Sequence, residues 1–181
     1  MPALIAPDTR VHASFLTAMA EFQAEGRGGP DDNESMIGAE IREHGADWSE
    51  PSHFDRYVSD LQAQRLEDTP RPDGYVPCTT LWWATGDRYL GRLAIRHRLT
   101  PHGLARSGHI GYDVRPSARR QGHATAMLAA ALPLAWALGI TSALLTCDVT
   151  NVASRRVIEA NGGVLQDQRD DILRFWVPTA S

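Results

Sequence analysis

The segment 107–124 constrains the chain more than any other, because it predicts a strand that leads through a short turn into a long helix. It reads Ser-Gly-His-Ile-Gly-Tyr-Asp-Val-Arg-Pro-Ser-Ala-Arg-Arg-Gln-Gly-His-Ala, and its turn carries the spacing Arg119-x-x-Gly122-x-Ala124. A glycine-bearing turn at a helix N-terminus presents unpaired backbone N–H groups at the positive end of the helix dipole, which suits a phosphate group. The motif is short enough to occur by chance, so its meaning depends on its neighbours.

The composition indicates a globular protein with a substantial core. The chain has 181 residues, of which 43% are apolar and 22% are charged, and this is enough for one domain. The net charge of −4 gives little support to nucleic-acid binding. No apolar run is long enough to span a membrane, and the N-terminus lacks a signal-peptide pattern, so we expect a cytoplasmic protein that does not bind a membrane.

The reactive residue types exclude several kinds of chemistry. All 18 basic residues are arginine, so neither a Schiff-base lysine nor a lysine-centred phosphate loop is present. Cys78 and Cys147 lie in apolar segments, and we expect reduced thiols rather than a disulfide. No cluster of histidine and cysteine has metal-ligand spacing, so we expect no metal site.

Hydrophobic periodicity and turn signals predict helices first and then an alternation of strands and helices around one mixed sheet. The predicted helices cover residues 9–25, 35–44, 52–65, 121–138 and 151–161. The predicted strands cover residues 4–5, 76–84, 88–97, 109–114, 141–147, 164–168 and 172–177, with a loop over 101–108. Pro133 lies inside the fourth helix and predicts a kink or a local break there.

This order of elements, together with several short motifs, resembles the GNAT superfamily of acetyl-CoA-dependent N-acetyltransferases. Besides the turn, the motifs are Ile95-Arg-His-Arg-Leu99, Gly108-His-Ile-Gly-Tyr112, Val114-Arg-Pro-Ser117 and Asn151-x-x-Ser154 followed by Asn161-Gly-Gly163. The resemblance covers residues 76–177 well, whereas residues 1–75 fit only as N-terminal helices with an acceptor-side loop. It implies a single domain over residues 1–181, of class α/β. The implied GNAT fold has a central mixed, mostly antiparallel twisted sheet with splayed middle strands, flanked by about four helices.

The resemblance implies acetyl-CoA as the cosubstrate. Its pyrophosphate would bind the backbone of the turn, and its pantetheine arm would pair with the strand 109–114, which splays away from the strand 143–147. The Val114 N–H would lie near the acetyl oxygen. Asn151 would contact the arm or cap the next helix, or do both. The implied cofactor-binding residues are Tyr112, Asp113, Val114, Arg119, Arg120, Gln121, Gly122, His123, Ala124, Thr125, Asn151 and Ser154.

The family reaction is a direct attack of a neutral amine on the thioester, without an acyl-enzyme, and it needs groups that accept and donate protons. His109 is the first candidate for the proton acceptor, because many relatives carry glutamate there and its ordinary pKa is about 6.5. The alternative is a strand histidine hydrogen-bonded to a neighbour. Asp113, on the same strand face, and Asp148 are the carboxylate candidates. The position of the family's tyrosine acid is Ile158 here, so Tyr112, another residue or solvent would protonate the thiolate.

The acceptor is less constrained by the sequence. The connection 26–55 is acidic, and it would favour a cationic amine if it lined the site; the alternative is a solvated loop. Its carboxylates are Asp31, Asp32, Glu34, Glu40, Glu43, Asp47, Glu50 and Asp55. Trp48 would line an acceptor pocket or anchor this loop, and strand alternation sends Trp82 and Trp83 to opposite faces, where one could line the cleft or pack against a helix.

We expect transfer to a primary amine of a small molecule, with an amine-bearing antibiotic or a metabolite as examples. A protein or peptide N-acetyltransferase and a non-catalytic acyl-CoA-binding module are the alternatives. The sequence does not decide between a monomer and a homodimer.

Overall fold

The computed structural model describes residues 1–32 and 35–180, and the strands of this part of the chain form two antiparallel sheets. The first sheet has the strand order β1-β2-β3-β4, and the second has the order β5-β7-β6. The strands are β1 (Ala3–Ile5), β2 (Cys78–Thr85), β3 (Arg88–Arg96), β4 (Ile110–Val114), β5 (Ser142–Asp148), β6 (Val164–Arg169) and β7 (Ile172–Pro178). Each lies within a few residues of a predicted strand, because apolar runs bounded by turn residues are strong local signals.

Five α-helices accompany the sheets in the described residues, one for each helical segment that the sequence predicts. They are α1 (His12–Ala24), α2 (Met36–His44), α3 (Pro51–Ala63), α4 (His123–Ala137) and α5 (Val152–Ala160). Helix α2 begins where the Ser35 hydroxyl accepts a hydrogen bond from the Gly38 N–H at 2.9 Å, as an N-cap does. A helical turn over Gly103–Ser107 occupies part of the predicted loop. None of the helices in the described ranges is both long and apolar enough to cross a membrane.

Helix α4 continues through Pro133, so the predicted local break is wrong. Proline removes the hydrogen bond to the carbonyl four residues earlier, which belongs to Ala129. Ala129 and Pro133 are both exposed, so water can bond to that carbonyl. The opposite side of the helix is held by packing of the buried residues Met127, Leu128, Ala131 and Ala135.

Side chains alternate across the first sheet and build an apolar cluster on each face. Trp83 belongs to the cluster beneath α4 and α5, whereas Trp82 belongs to the cluster formed with α1, α2 and α3. This division between neighbouring residues confirms the alternation expected from the sequence. Both tryptophans are buried, so Trp83 packs against α4 rather than lining a cleft, and its Nε1 donates to His123 Nδ1 at 3.2 Å.

The two sheets are joined where β4 begins beside β5. The His109 N–H donates to the Leu144 carbonyl at 2.7 Å, and the Leu144 N–H donates to His109 Nδ1 at 2.9 Å. Gly108 has φ +61°, and a Cβ there would lie 2.4 Å from the Leu144 carbonyl oxygen, so this approach requires glycine. Tyr112 lies near Cys147, three residues farther along each strand, so β4 and β5 run in the same direction. No further hydrogen bond joins the two strands in the described chain, and they diverge into a gap.

Candidate active site

The turn between β4 and α4 presents a row of free backbone donors. Gly122 precedes α4 with φ +81° and no side chain caps the helix, while Arg120 also has a positive φ of 60°. Within residues 1–32 and 35–180, the N–H groups of residues 120–125 have no hydrogen-bond partner. These groups lie at the positive end of the dipole of α4, so the turn can bind a phosphate through its backbone.

Several side chains of this turn are engaged with the protein itself. His123 accepts from Trp83, and Ala124 packs against the apolar core. The Thr125 carbonyl accepts from Asn161 Nδ2 at 3.3 Å. These contacts fix the first turn of α4 in place, and they leave its backbone N–H groups as free donors.

Two glutamates, one in the last turn of α1 and one directly after it, hold the turn from outside. Glu21 accepts from the Arg115 guanidinium, from the Ser117 N–H at 3.0 Å and from the Ser117 hydroxyl at 2.9 Å. Glu25 forms a bidentate pair with Arg119, with N···O distances of 2.6 and 2.8 Å. The hydrogen bond from Arg115 is the main reason that the Glu21 pKa is lowered to about 2. Arg119 therefore positions the turn, a role that the sequence analysis did not identify.

The edge of β4 that faces β5 carries unpaired backbone groups. The Arg115 N–H donates to the Leu90 carbonyl at 2.9 Å, and alternate residues of an antiparallel strand direct their backbone groups to opposite sides. The backbone groups of Tyr112 and Val114 therefore point into the gap. There the Val114 carbonyl accepts from Arg119 Nε at 3.0 Å, which leaves the Val114 N–H as a donor toward the gap.

The Tyr112 side chain lies on the side of β4 that faces α5. Its hydroxyl is 2.9 Å from Ser154 Oγ, and burial raises its pKa to about 12. Asn151 caps α5 by accepting from the Ser154 N–H at 3.0 Å. Burial also raises the pKa of the nearby Cys147 thiol, while the buried Ile158 has no proton to donate. Tyr112 is therefore a protonated hydroxyl on this side of the gap, beside the Ser154 hydroxyl.

His109 lies at the closed end of the gap. Because its Nδ1 accepts the Leu144 N–H, the neutral ring carries its hydrogen on Nε2 and has no free lone pair. Burial, and secondarily the Arg96 guanidinium, lower its pKa. Of the two roles left open by the sequence, these contacts favour the hydrogen-bonded strand histidine.

The two candidate carboxylates have different surroundings. Asp113 lies on the face of β4 opposite the Tyr112 side chain, with Oδ1 3.7 Å from Arg27 Nη2. Burial raises the Asp113 pKa, although Arg27 opposes that effect. Asp148 accepts from the Thr150 N–H at 2.7 Å and from the Thr150 hydroxyl, and these bonds lower its pKa. Asp113 is therefore the better proton acceptor near neutral pH.

Helix α2 lies across β3 and β4 on the Asp113 side of the sheet. The Glu40 carboxylate accepts from the Arg92 guanidinium and from the Tyr57 hydroxyl at 2.7 Å. One helical turn earlier, Met36 Sδ lies 3.1 Å from Arg96 Nη2. The sequence analysis missed these pairs because the partners lie on elements that are far apart in the chain.

The acidic connection does not form a continuous acidic wall. Asp32 orders its own turn by accepting from the N–H groups of Gly28 and Ser35, and Glu34 lies outside the described residues. Trp48 is buried against Phe15 and so anchors the segment. The exposed carboxylates are Asp31, Glu43, Asp47, Glu50 and Asp55. These five side chains are solvated, whereas the α2 part of the connection contacts β3 through Met36 and Glu40.

No group of three or more histidine, cysteine, aspartate or glutamate side chains in the part of the chain that the structure describes could hold a metal ion.

Residues 32–164 match the sequence-family model described as the acetyltransferase (GNAT) domain. The chain belongs to the GNAT acetyltransferase family. It is accordingly an acyltransferase, as the resemblance implied, and the matched range contains β4, the turn and α4. No curated protein matches the sequence significantly.

Solved structures agree with the GNAT fold. RimL, a ribosomal L7/L12 alpha-N-protein acetyltransferase in complex with coenzyme A, has 18% identity and a TM-score of 0.63, over 98% of this chain and 94% of that one. MccE, a microcin C7 self-immunity acetyltransferase in complex with acetyl-CoA and AMP, has 10% identity and a TM-score of 0.64, over 98% and 92%. Mycobacterium smegmatis RimJ, in complex with CoA-disulfide, has 20% identity and a TM-score of 0.63, over 98% and 86%. At these identities the likeness establishes the fold.

Proposed function

We propose that the protein transfers the acetyl group of acetyl-CoA directly to a primary amine of a small molecule. The observation that carries the proposal is that two sets of free backbone groups meet at the open end of the gap. The N–H groups of residues 120–125 would bind the pyrophosphate of coenzyme A. The edge of β4 at Tyr112 and Val114 would pair with the amide-bearing pantetheine arm, as in strand addition. Bound acetyl-CoA supplies the activated thioester.

The chemistry would be divided between the two faces of β4. The Val114 N–H would donate to the thioester oxygen as negative charge develops on it. Asp113, on the α2 side, would take the proton of the attacking ammonium group, directly or through water. Tyr112, on the α5 side, would donate a proton to the departing sulfur, and the second proton of the acceptor nitrogen, released as the intermediate collapses, would return to Tyr112 through solvent. His109 would keep the closed end of the gap together.

The contacts of α2 favour a small acceptor over a protein substrate. Glu40 binds Arg92 and Met36 contacts Arg96, so α2 walls the acceptor side of the sheet, whereas a polypeptide needs an open groove. The name of RimL, a protein acetyltransferase, supports the protein alternative, and that of MccE, a self-immunity acetyltransferase, supports the antibiotic example. An assay with both kinds of acceptor separates these possibilities.

The donor site is tested by a pair of matched glycine variants. Gly122 and Gly139 flank α4 with φ +81° and +83°, and a Cβ at either would meet open space. Alanine should therefore cost a similar free energy of unfolding at both positions, about 1 kcal/mol. We expect Gly122→Ala to weaken coenzyme A binding at least about tenfold in calorimetry, because it misdirects charge-assisted hydrogen bonds, and Gly139→Ala to leave binding unchanged. Equal affinities of the two variants for coenzyme A would contradict the proposed pyrophosphate site at residues 120–125.

Acceptor turnover is tested by release of free thiol from acetyl-CoA. The panel contains small primary amines, peptides with free N-termini and peptides with lysine side chains. Turnover of small amines supports the proposal, and turnover of peptides alone would replace it with the protein alternative. Binding of coenzyme A without turnover of any amine would indicate a non-catalytic module.

A further inference from the structure

The acceptor side of the sheet contains a shallow floor between two arginines. Arg92, Ala94 and Arg96 share one face of β3, since strand residues alternate. Ala94 pairs with Gly111 of β4, and Arg92 pairs with Asp113. Ala94 is buried, whereas a Cβ built on Gly111 would meet only Arg96 within 4 Å, so the space between the two arginines lies over Gly111.

The two arginines differ in their partners. The Arg92 guanidinium pairs with the Glu40 carboxylate. Arg96 instead contacts only neutral groups in the described chain: its Nη1 lies 3.2 Å from the Ser107 carbonyl and 3.4 Å from the Gly108 carbonyl, and its Nη2 contacts the Met36 sulfur. Arg96 is thus a half-buried cation without a carboxylate partner.

The Arg96 guanidinium also lies over the floor. A Cβ built on Gly111 would be 3.9 Å from Arg96 Nη1, so the cation reaches across β3 to β4. Burial lowers the pKa of Arg96, and the Arg92 charge acts in the same direction. Removing a cation from water without a counter-charge is unfavourable, and an anionic ligand on the floor would remove that disadvantage.

We infer that the acceptor amine carries a carboxylate close to its amino group and that Arg96 binds this carboxylate. The inference rests on the proposed function, because it places the amine at Asp113. Gly111 and Asp113 are two residues apart on β4, a separation of about 7 Å. An acceptor bridging Asp113 and the Arg96 guanidinium over Gly111 therefore has one to a few carbon atoms between amine and carboxylate, as amino acids have. The acceptor would be bound as a zwitterion rather than as a simple cation.

The test compares acceptors that differ only in charge. Thiol release is measured with the twenty standard α-amino acids, β-alanine and γ-aminobutyrate, each beside its carboxamide. The proteins are the wild type, Arg96→Gln, Arg96→Lys and the control Arg98→Gln. Arg98 follows β3, is exposed, and pairs with Glu67. Thermal melting establishes that each variant is folded, and the Lys variant keeps the charge if the Gln variant unfolds.

We expect the wild type to prefer at least one carboxylate acceptor over its amide by about tenfold or more in kcat/KM. Arg96→Gln should remove this preference mainly by raising KM, Arg96→Lys should retain part of it, and Arg98→Gln should match the wild type. Equal turnover of acids and amides, preference retained in Arg96→Gln, or turnover only of amines without a carboxylate would overturn the inference and leave the proposed acetyl transfer intact. Failure of every amine, with no binding of coenzyme A, would remove the proposed function and this inference together.

Discussion

His109 shows how one residue type can serve structure where the sequence suggested catalysis. Its imidazole replaces a backbone carbonyl as the acceptor for the Leu144 N–H. Asparagine places an amide oxygen near the position of Nδ1 and cannot act as a base. The two roles therefore make opposite predictions for the variant His109→Asn.

We expect His109→Asn to fold and to retain most of its acetyl transfer, whereas His109→Ala leaves a buried N–H unpaired and loses about 1–3 kcal/mol of unfolding free energy. The wild-type pKa of His109 is lowered by burial, so the unfolded chain binds a proton more readily than the folded one. Stability from the neutral ring is complete above about pH 6.5 and falls as the pH decreases below it. Denaturant titrations between pH 5 and pH 8 should show a larger loss in the wild type than in His109→Asn, which keeps only the loss due to other groups such as His97, whose pKa is also lowered by burial. Inactive but stable His109→Asn would instead identify a base.

Tyr112 gives a second prediction at the level of single atoms. Removing its hydroxyl in Tyr112→Phe should lower kcat by about a hundredfold or more, because the departing thiolate loses its proton donor. Coenzyme A affinity should change little. The pKa of about 12 means that Tyr112 stays protonated at neutral pH, so the wild-type rate should not decline from its ionisation below about pH 11. The exposed Tyr75 supplies the control Tyr75→Phe, and equal kcat in the two variants would exclude Tyr112 as the acid.

At the scale of elements, α1 acts as a support for the turn before α4. Glu21 in α1 and Glu25 at its C-terminal cap hold Arg115, Ser117 and Arg119. The backbone of the turn is thus oriented by an element more than 90 residues earlier in the chain. Damage to α1 should therefore appear as a loss of donor binding.

We expect Glu21→Gln to destabilise the fold by about 3 kcal/mol and to weaken coenzyme A binding, because it leaves the buried Arg115 charge unpaired. The Glu21 pKa of about 2 lies below its ordinary value of 4.5, so the carboxylate contributes fully above about pH 4.5. That contribution is lost as the pH falls toward 2, and the difference between variant and wild type should shrink over this interval. The control is Glu159→Gln in the exposed pair with Arg155, which should cost less than about 1 kcal/mol. Similar losses in both variants would contradict the support role.

At the scale of the whole molecule, the elements were predictable and the contacts between them were not. Strands and helices were located correctly because capping residues, such as Ser35 and Asn151, and turn glycines are local signals. The pairs that build the site join distant segments, such as Glu40 with Arg92. A single sequence gives no register between α2 and β3, and each partner alone resembles an ordinary surface residue.

Because contacts between distant segments could not be predicted, the charge expected of the acceptor also changed once the structure was known. Counting carboxylates in residues 26–55 suggested a cationic ligand, yet Glu40 is already paired and most of the others face solvent. Among the described residues, Arg96 on the acceptor side has no carboxylate partner, and composition alone did not single out its strand. Charge at a site is therefore a property of pairing in three dimensions.

The two hydrogen bonds between His109 and Leu144 also have a consequence for the order of events in catalysis. The gap between β4 and β5 is closed at one end and open at the other. Acetyl-CoA would therefore enter with its acetyl thioester first, and coenzyme A would leave by the same opening. An acceptor arriving from the α2 face cannot push the spent carrier out through the far side. Coenzyme A should therefore compete with acetyl-CoA for free enzyme, and its departure should limit turnover once the acetyl group has moved.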